Sequence, residues 1–150
     1  MKITYKGDYS LKAMLELALH YNKGVLSIQE LAKKGDMPSK FLEQVLLALK
    51  KGGFVDSKRG VEGGYFLAKS PEAITIGEVI RFIEGPIEPV ACASKRDYKG
   101  CKDSPYCVFR DIWNQVYTAT SLVVDTVTFA ELVRRVENIK NRRVEQSYYI

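Results

Sequence analysis

The stretch SIQELAKKGDMPSKFLEQVLLALKKGG, residues 27–53, decides the fold. Ser27 and Glu30 have the spacing of a capping box, in which each side chain satisfies a backbone donor that the first helical turn leaves unpaired, so the spacing predicts a short helix over Ile28 to Lys34. Lys34-Gly35-Asp36 is the turn. Pro38 suits the first position of the next helix, where its missing N–H costs nothing. Phe41, Leu42, Val45, Leu46 and Leu49 then recur on one face, until Lys51-Gly52-Gly53 ends the element with cations in its last turn and glycine past its end. Two helices around a tight glycine-containing turn make a helix-turn-helix.

Toward the C-terminus, the strand-like runs Phe54–Lys58 and Tyr65–Ala68 enclose Arg59-Gly60-Val61-Glu62-Gly63-Gly64, a basic, glycine-rich hairpin tip that reads as a wing. Toward the N-terminus, Leu11, Met14, Leu15, Ala18 and Leu19 set a helix over Asp8 to Tyr21 that is buried on most sides, followed by a short extended piece at Val25-Leu26. Thr75 and Glu78 form a second capping box, opening a helix that ends at Gly85-Pro86. Residues 87–104 carry no period and read as a long loop. Ser104-Pro105 opens a helix whose stripe Phe109, Ile112, Trp113, Val116, Tyr117, Thr120, Val123 and Val124 continues to Thr126, roughly 20 residues or about 30 Å. A domain this small has too little surface to cover such a stripe, which predicts a two-fold homodimer paired through this helix. Thr128 and Glu131 repeat the capping pattern for a last helix, with a frayed tail expected at Asn141-Arg142-Arg143.

The expected architecture is therefore mostly α with a small β-hairpin: a winged helix-turn-helix DNA-binding domain over residues 1–86, a cysteine-bearing loop over 87–104, and a long dimerisation helix with a C-terminal helix over 105–150. A chain of 150 residues with 46% hydrophobic and 27% charged residues forms a real core and is too short for a multidomain enzyme. No apolar run approaches the length of a membrane span and the N-terminus lacks a secretory pattern, which predicts a cytoplasmic protein with no membrane partner. The 23 Lys and Arg against 18 Asp and Glu give a net charge of +5, compatible with a polyanionic partner.

The second helix of a helix-turn-helix presents its N-terminal residues to base edges in the major groove. Here these are Ser39, Lys40, Glu43 and Gln44, all polar and all off the apolar stripe. Lysine donates to guanine acceptors, glutamine pairs with adenine, and glutamate accepts only from a donor such as the cytosine amino group. Glu43 adds no general affinity beside phosphates, so in the groove its role is discrimination. Arg59 at the wing tip suits the negative potential of a narrow minor groove, and Lys50, Lys51 and Lys58 suit phosphates. The alternative for all of these is a solvated basic helix face.

Three cysteines, Cys92, Cys101 and Cys107, lie close together in the chain, an odd number that no closed disulfide framework uses in full. Their spacing is neither the CxxC of thioredoxin-type chemistry nor that of a zinc knuckle, and no further Cys or His pair completes a zinc site nearby. Thiolates hold iron–sulfur clusters, and a two-iron cluster takes four protein ligands, of which three are visible. Cys107 is expected in the first turn of the long helix, where the helix dipole favours thiolate. Buried inert cysteines are the alternative, in a loop made polar by Lys95, Arg96, Asp97, Lys99 and Lys102.

Phe41-Leu42-Glu43-Gln44, the run Ser57-Lys58-Arg59-Gly60-Val61-Glu62-Gly63-Gly64-Tyr65-Phe66-Leu67, Ile83-Glu84-Gly85-Pro86 and Lys6-Gly7-Asp8-Tyr9 together resemble the IscR and NsrR family of bacterial winged-helix regulators, over residues 1 to about 130. The resemblance implies a homodimer with a swapped-looking long helix, palindromic double-stranded DNA targets and a [2Fe-2S] cluster in the cysteine loop. It places Glu43 and Arg59 on positions used for base recognition. Phe41 stands where a tyrosine is usual, removing a hydroxyl that contacts phosphate, and the Cys92–Cys101 spacing is longer than in the best-known members. Some relatives use a histidine three residues beyond the last cysteine as fourth ligand, and Arg110 occupies that position here. Asp8 occupies the position from which nitric-oxide-sensing relatives supply a carboxylate across the dimer, and capping or charging the N-terminal end of the first helix is its other role. The single histidine, His20, reads as a partly buried packing residue.

These features imply a homodimeric transcription regulator, a repressor that senses iron–sulfur cluster status and controls cluster biogenesis genes, with nitric oxide or redox state as the alternative signal. A thiol oxidoreductase built on Cys101 or Cys107 lacks a CxxC, a nucleotide loop and a Ser-His-Asp set, so no enzyme is expected. A cofactor-free interaction module is the third class.

Overall fold

A computed structural model describes residues 3–93, 101 and 106–147. Helix α1 (Tyr5–Leu19) lies at the centre, packed on by α2 (Ile28–Gly35), α3 (Ser39–Lys51), α4 (Ile76–Glu84) and α6 (Phe129–Ser147), while α5 (Arg110–Thr126) packs on α4. This matches the expected mostly helical fold with one hairpin. The apolar periodicity of α1 explains its position, since Ala13, Met14, Leu17 and Ala18 are all buried. Leu42, Val45, Leu46 and Leu49 of α3 are wholly buried against it, each contributing about 1.5–3 kcal/mol by removal from water. The capping box of α2 forms as its spacing predicts: Ser27 N–H donates to Glu30 Oε2 at 2.8 Å and Glu30 N–H to Ser27 Oγ at 3.2 Å. The Thr75–Glu78 box of α4 forms likewise, at 2.8 and 3.2 Å.

Strands β1 (Val55–Lys58) and β2 (Gly64–Leu67) pair antiparallel, Val55 opposite Leu67 and Lys58 opposite Gly64. Leu26 adds a third short rung through two backbone bonds with Tyr65, of 2.9 and 2.8 Å. That rung explains Gly64, where a Cβ would sit 2.5 Å from the Leu26 carbonyl oxygen. Gly60 turns the hairpin at φ +117, a conformation that side chains disfavour.

Several boundaries differ from the sequence reading. The first helix begins at Tyr5, not Asp8, because Thr4 caps it: its hydroxyl accepts from Gly7 N–H at 3.3 Å and donates to Glu84 Oε1 at 2.6 Å, and Thr4 N–H donates to the same oxygen at 2.9 Å. Pro38 is the N-cap of α3, one position before the helix, with no side-chain bond of its own. The long helix starts at Arg110 and spans 17 residues, so Cys107 precedes it and gains no first-turn dipole; the expected cap at Ser104-Pro105 lies outside the described residues. The last helix does not fray at Asn141-Arg142-Arg143 and continues to Ser147. It returns to the first unit: Ile76 N–H bonds Val127 O, Phe129 N–H bonds Ile74 O, both at 3.0 Å, and the Phe129 side chain is wholly buried in the core of α1 and α3.

The Glu84 carboxyl is held below the usual carboxylate range, first by the Thr4 hydroxyl and then by backbone N–H donors at Thr4 and Gly7. A depressed folded value contributes stability that is present above the unfolded value and lost as pH falls through the folded one. Urea midpoints measured against pH should therefore drop below about pH 5, and Glu84→Gln should flatten that limb while lowering the neutral plateau.

Candidate functional site

The start of α3 is an exposed polar turn with a groove on either side. On one side, a groove of about 480 Å³ is lined by Ser39 and Glu43 of α3, Gln29 of α2, and Lys58 and Arg59 of the wing. The pairing of Lys58 with Gly64 places Lys58 and Arg59 at the hairpin tip, where Val61 is also fully exposed. On the other side, Lys40 and Gln44 line a cleft of about 400 Å³ with Pro38, Phe41, Tyr5 and Tyr9. The four expected base-reading residues are thus all exposed but belong to two faces, Ser39 and Glu43 toward the wing and Lys40 and Gln44 toward α1. Lys51 is exposed at the far end of α3 and lines neither groove.

Lys50, expected at phosphate, is exposed at the end of α3. Its ammonium lies 3.1 Å from Asp56 Oδ1 and donates to Ser57 Oγ at 2.6 Å, bracing the end of α3 against β1. The Ser57 backbone N–H and then Lys50 hold the Asp56 carboxyl below its usual range. The pair is exposed, so its role is to orient the wing against α3 more than to add stability. Gln29 is the groove residue that attention to the second helix alone missed; its signal was its place just inside the N-cap of α2.

The cysteines are less organised. Cys92 is half-buried on a short 3₁₀ turn, Ala91–Ala93, that packs on α5; Cys107 is half-buried just before α5, and Cys101 is exposed. Among the described residues no three His, Cys, Asp or Glu side chains gather as a metal-holding group. Asp8 lies in the first turn of α1, where it charges the N-terminal end while Thr4 caps it, and pairs with Lys12 at 2.9 Å. His20 is half-buried at the end of α1. No described helix is long and apolar enough to cross a membrane.

Two helices joined by a tight turn, with a basic hairpin beside the second, define a winged-helix transcription regulator that binds DNA. The chain belongs to the Rrf2 family, described as iron-dependent transcriptional regulators, whose model matches residues 3–135. It is 38% identical over 137 residues to an rrf2-like helix-turn-helix transcriptional regulator of Rhodobacter capsulatus, covering 87% of this chain and 91% of that one. Among solved structures it is similar to CymR, described as the global cysteine regulator of B. subtilis, with a TM-score of 0.75, 34% identity and coverage of 90% and 98%. It is similar as well to T. potens IscR, with a TM-score of 0.74, 32% identity and coverage of 93% and 90%.

Proposed function

We propose that the chain acts as a homodimeric repressor on palindromic double-stranded DNA and reads iron–sulfur status through a [2Fe-2S] cluster, controlling cluster biogenesis genes. The observation that carries the DNA half is the groove in which Ser39, Glu43, Lys58 and Arg59 meet beside an exposed recognition turn. Lys40 and Gln44 read from the opposite face of the same turn, and Lys51 and Lys58 neutralise phosphate. The dimer half rests on α5, whose outer stripe Phe109, Ile112, Val116 and Val123 is exposed while Tyr117 and Val124 face Ile80 of α4. A second copy of that stripe is the cover of matching chemistry.

The donor set fits the cofactor in kind: three soft thiols on one segment, with Asp8 from the partner chain as an oxygen donor. Cys92, Cys101 and Cys107 would hold the cluster and would have to be gathered to do so, since the described residues do not bring them together, and Asp8 would exchange its pairing with Lys12 for the iron. Bound there, the cluster supplies a one-electron centre sensitive to oxidation and loss. Cys92 stands on the turn that packs on α5, and Cys107 just before α5 begins. Arg81 ties α5 to α4 through Asp125 at 2.9 Å, and Glu84 ties α4 to the start of α1, which packs on α3. That series of contacts is the route by which the sulfurs bias the recognition turn.

Similarity to a cysteine regulator and the ungathered sulfurs favour a second reading, in which the same thiols answer redox state or nitric oxide without a resident cluster. Anaerobic purification with iron and acid-labile sulfide analysis separates the two. About two of each per chain is expected, with the visible spectrum lost in Cys101→Ala and altered in Asp8→Ala. Reconstituted protein that stays colourless and iron-free overturns the cluster reading.

A further inference from the structure

The cleft on the α1 side of the recognition turn is built from aromatic rings that the fold does not need there. Tyr5 is 79% exposed at the first position of α1, its ring centroid 6.3 Å from Tyr9, which packs edge-on against Phe41 at 5.4 Å. Burial in the core explains part of Tyr9 and Phe41, but nothing in the core explains Tyr5. The same cleft is lined by Lys40 and Gln44, so the rings and the two expected base-reading side chains share one surface.

A helix in the major groove has a DNA strand on each side of it. Here the wing closes the side of Ser39 and Glu43, and the rings of Tyr5, Tyr9 and Phe41 close the side of Lys40 and Gln44. The only apolar group that a base pair presents in the major groove is the thymine 5-methyl, and aromatic side chains are among its partners. Lys40 at the rim suits the adjoining phosphate, and Gln44 suits the adenine of a neighbouring pair. We propose that the Tyr5–Tyr9–Phe41 cleft is a thymine-methyl subsite that makes Tyr5 a specificity-determining residue of the half-site. This inference rests on the DNA-binding reading above. Phe41 supplies the apolar edge of the subsite, its ring packed edge-on against Tyr9.

The test begins with selection of a preferred duplex from a random pool by the full-length protein. The selected duplex is then remade with deoxyuridine for thymidine in one half-site, which deletes only methyl groups. Binding by the native chain should weaken about fourfold for one lost methyl contact. Tyr5→Ala, a change at an exposed ring that leaves the core intact, should bind the thymine duplex about as weakly and no longer distinguish the two duplexes. Phe41→Tyr should narrow the distinction through its added hydroxyl. Native protein indifferent to the exchange, or Tyr5→Ala that keeps full discrimination, overturns the subsite while leaving DNA recognition intact. A pool from which no sequence is enriched overturns the DNA-binding reading and the subsite with it.

Discussion

Replacing Phe129 with alanine should lower the unfolding free energy by about 3–5 kcal/mol, the largest loss expected from a single truncation among the described residues. Among the described residues Phe129 is the largest wholly buried side chain, at the start of a helix that packs on α1 and on the turn at Pro71–Ala73. Its backbone N–H is also bonded to Ile74 O, so the returning chain cannot slide to fill the void. Lost transfer energy therefore adds to an unrelaxed cavity. Ile139, ten residues further along the same helix and exposed, is the control: its truncation should stay within about 0.5 kcal/mol. Guanidinium unfolding of both variants decides the matter, and equal midpoints would show that α6 contributes nothing to the core.

The second large effect belongs to DNA. Arg59→Ala should weaken binding to a selected duplex by about 1–3 kcal/mol, and by more where the flanking minor groove is narrow. Arg59 sits exposed at the hairpin tip, while Lys50 and Asp56 fix the angle of that hairpin against α3, so the loss is a contact and not a misplaced wing. Glu43→Ala should behave differently. Removing an acceptor-only carboxylate from a phosphate-lined groove relieves repulsion, so affinity for unrelated duplexes should hold or rise while preference between sequences shrinks. Competition titrations at two salt concentrations separate these outcomes, because a phosphate contact changes the salt slope and a base contact does not. A Glu43→Ala protein with unchanged preference would remove Glu43 from the reading face.

Much of this was legible without a structure wherever the physics is local. The two capping boxes at Ser27–Glu30 and Thr75–Glu78 are three-residue relations, and both form as written. The stripe Leu42, Val45, Leu46 and Leu49 is wholly buried, and the glycine-rich hairpin folds into a wing. One departure has its partner far away in the chain. The true start of α1 was missed because its cap is completed by Glu84, 80 residues from Thr4. The pairing of Lys50 with Asp56 forms only once the hairpin docks on α3. The continuation of α6 past Arg143 carries no comparable local signature.

The sequence by itself therefore determined the helices, the turn, the wing and the side of α3 that faces the core, because hydrogen bonds and periodicity acting over three or four residues set these. Tertiary structure alone decided how the exposed side is divided. Ser39 and Glu43 meet Arg59 and Gln29 in one groove, whereas Lys40 and Gln44 meet Tyr5 and Tyr9 in another. Adjacent residues on a helix point about 100° apart, so which neighbour each one meets depends on where α1 and the wing dock, and the burial that docks them is distributed over the whole chain.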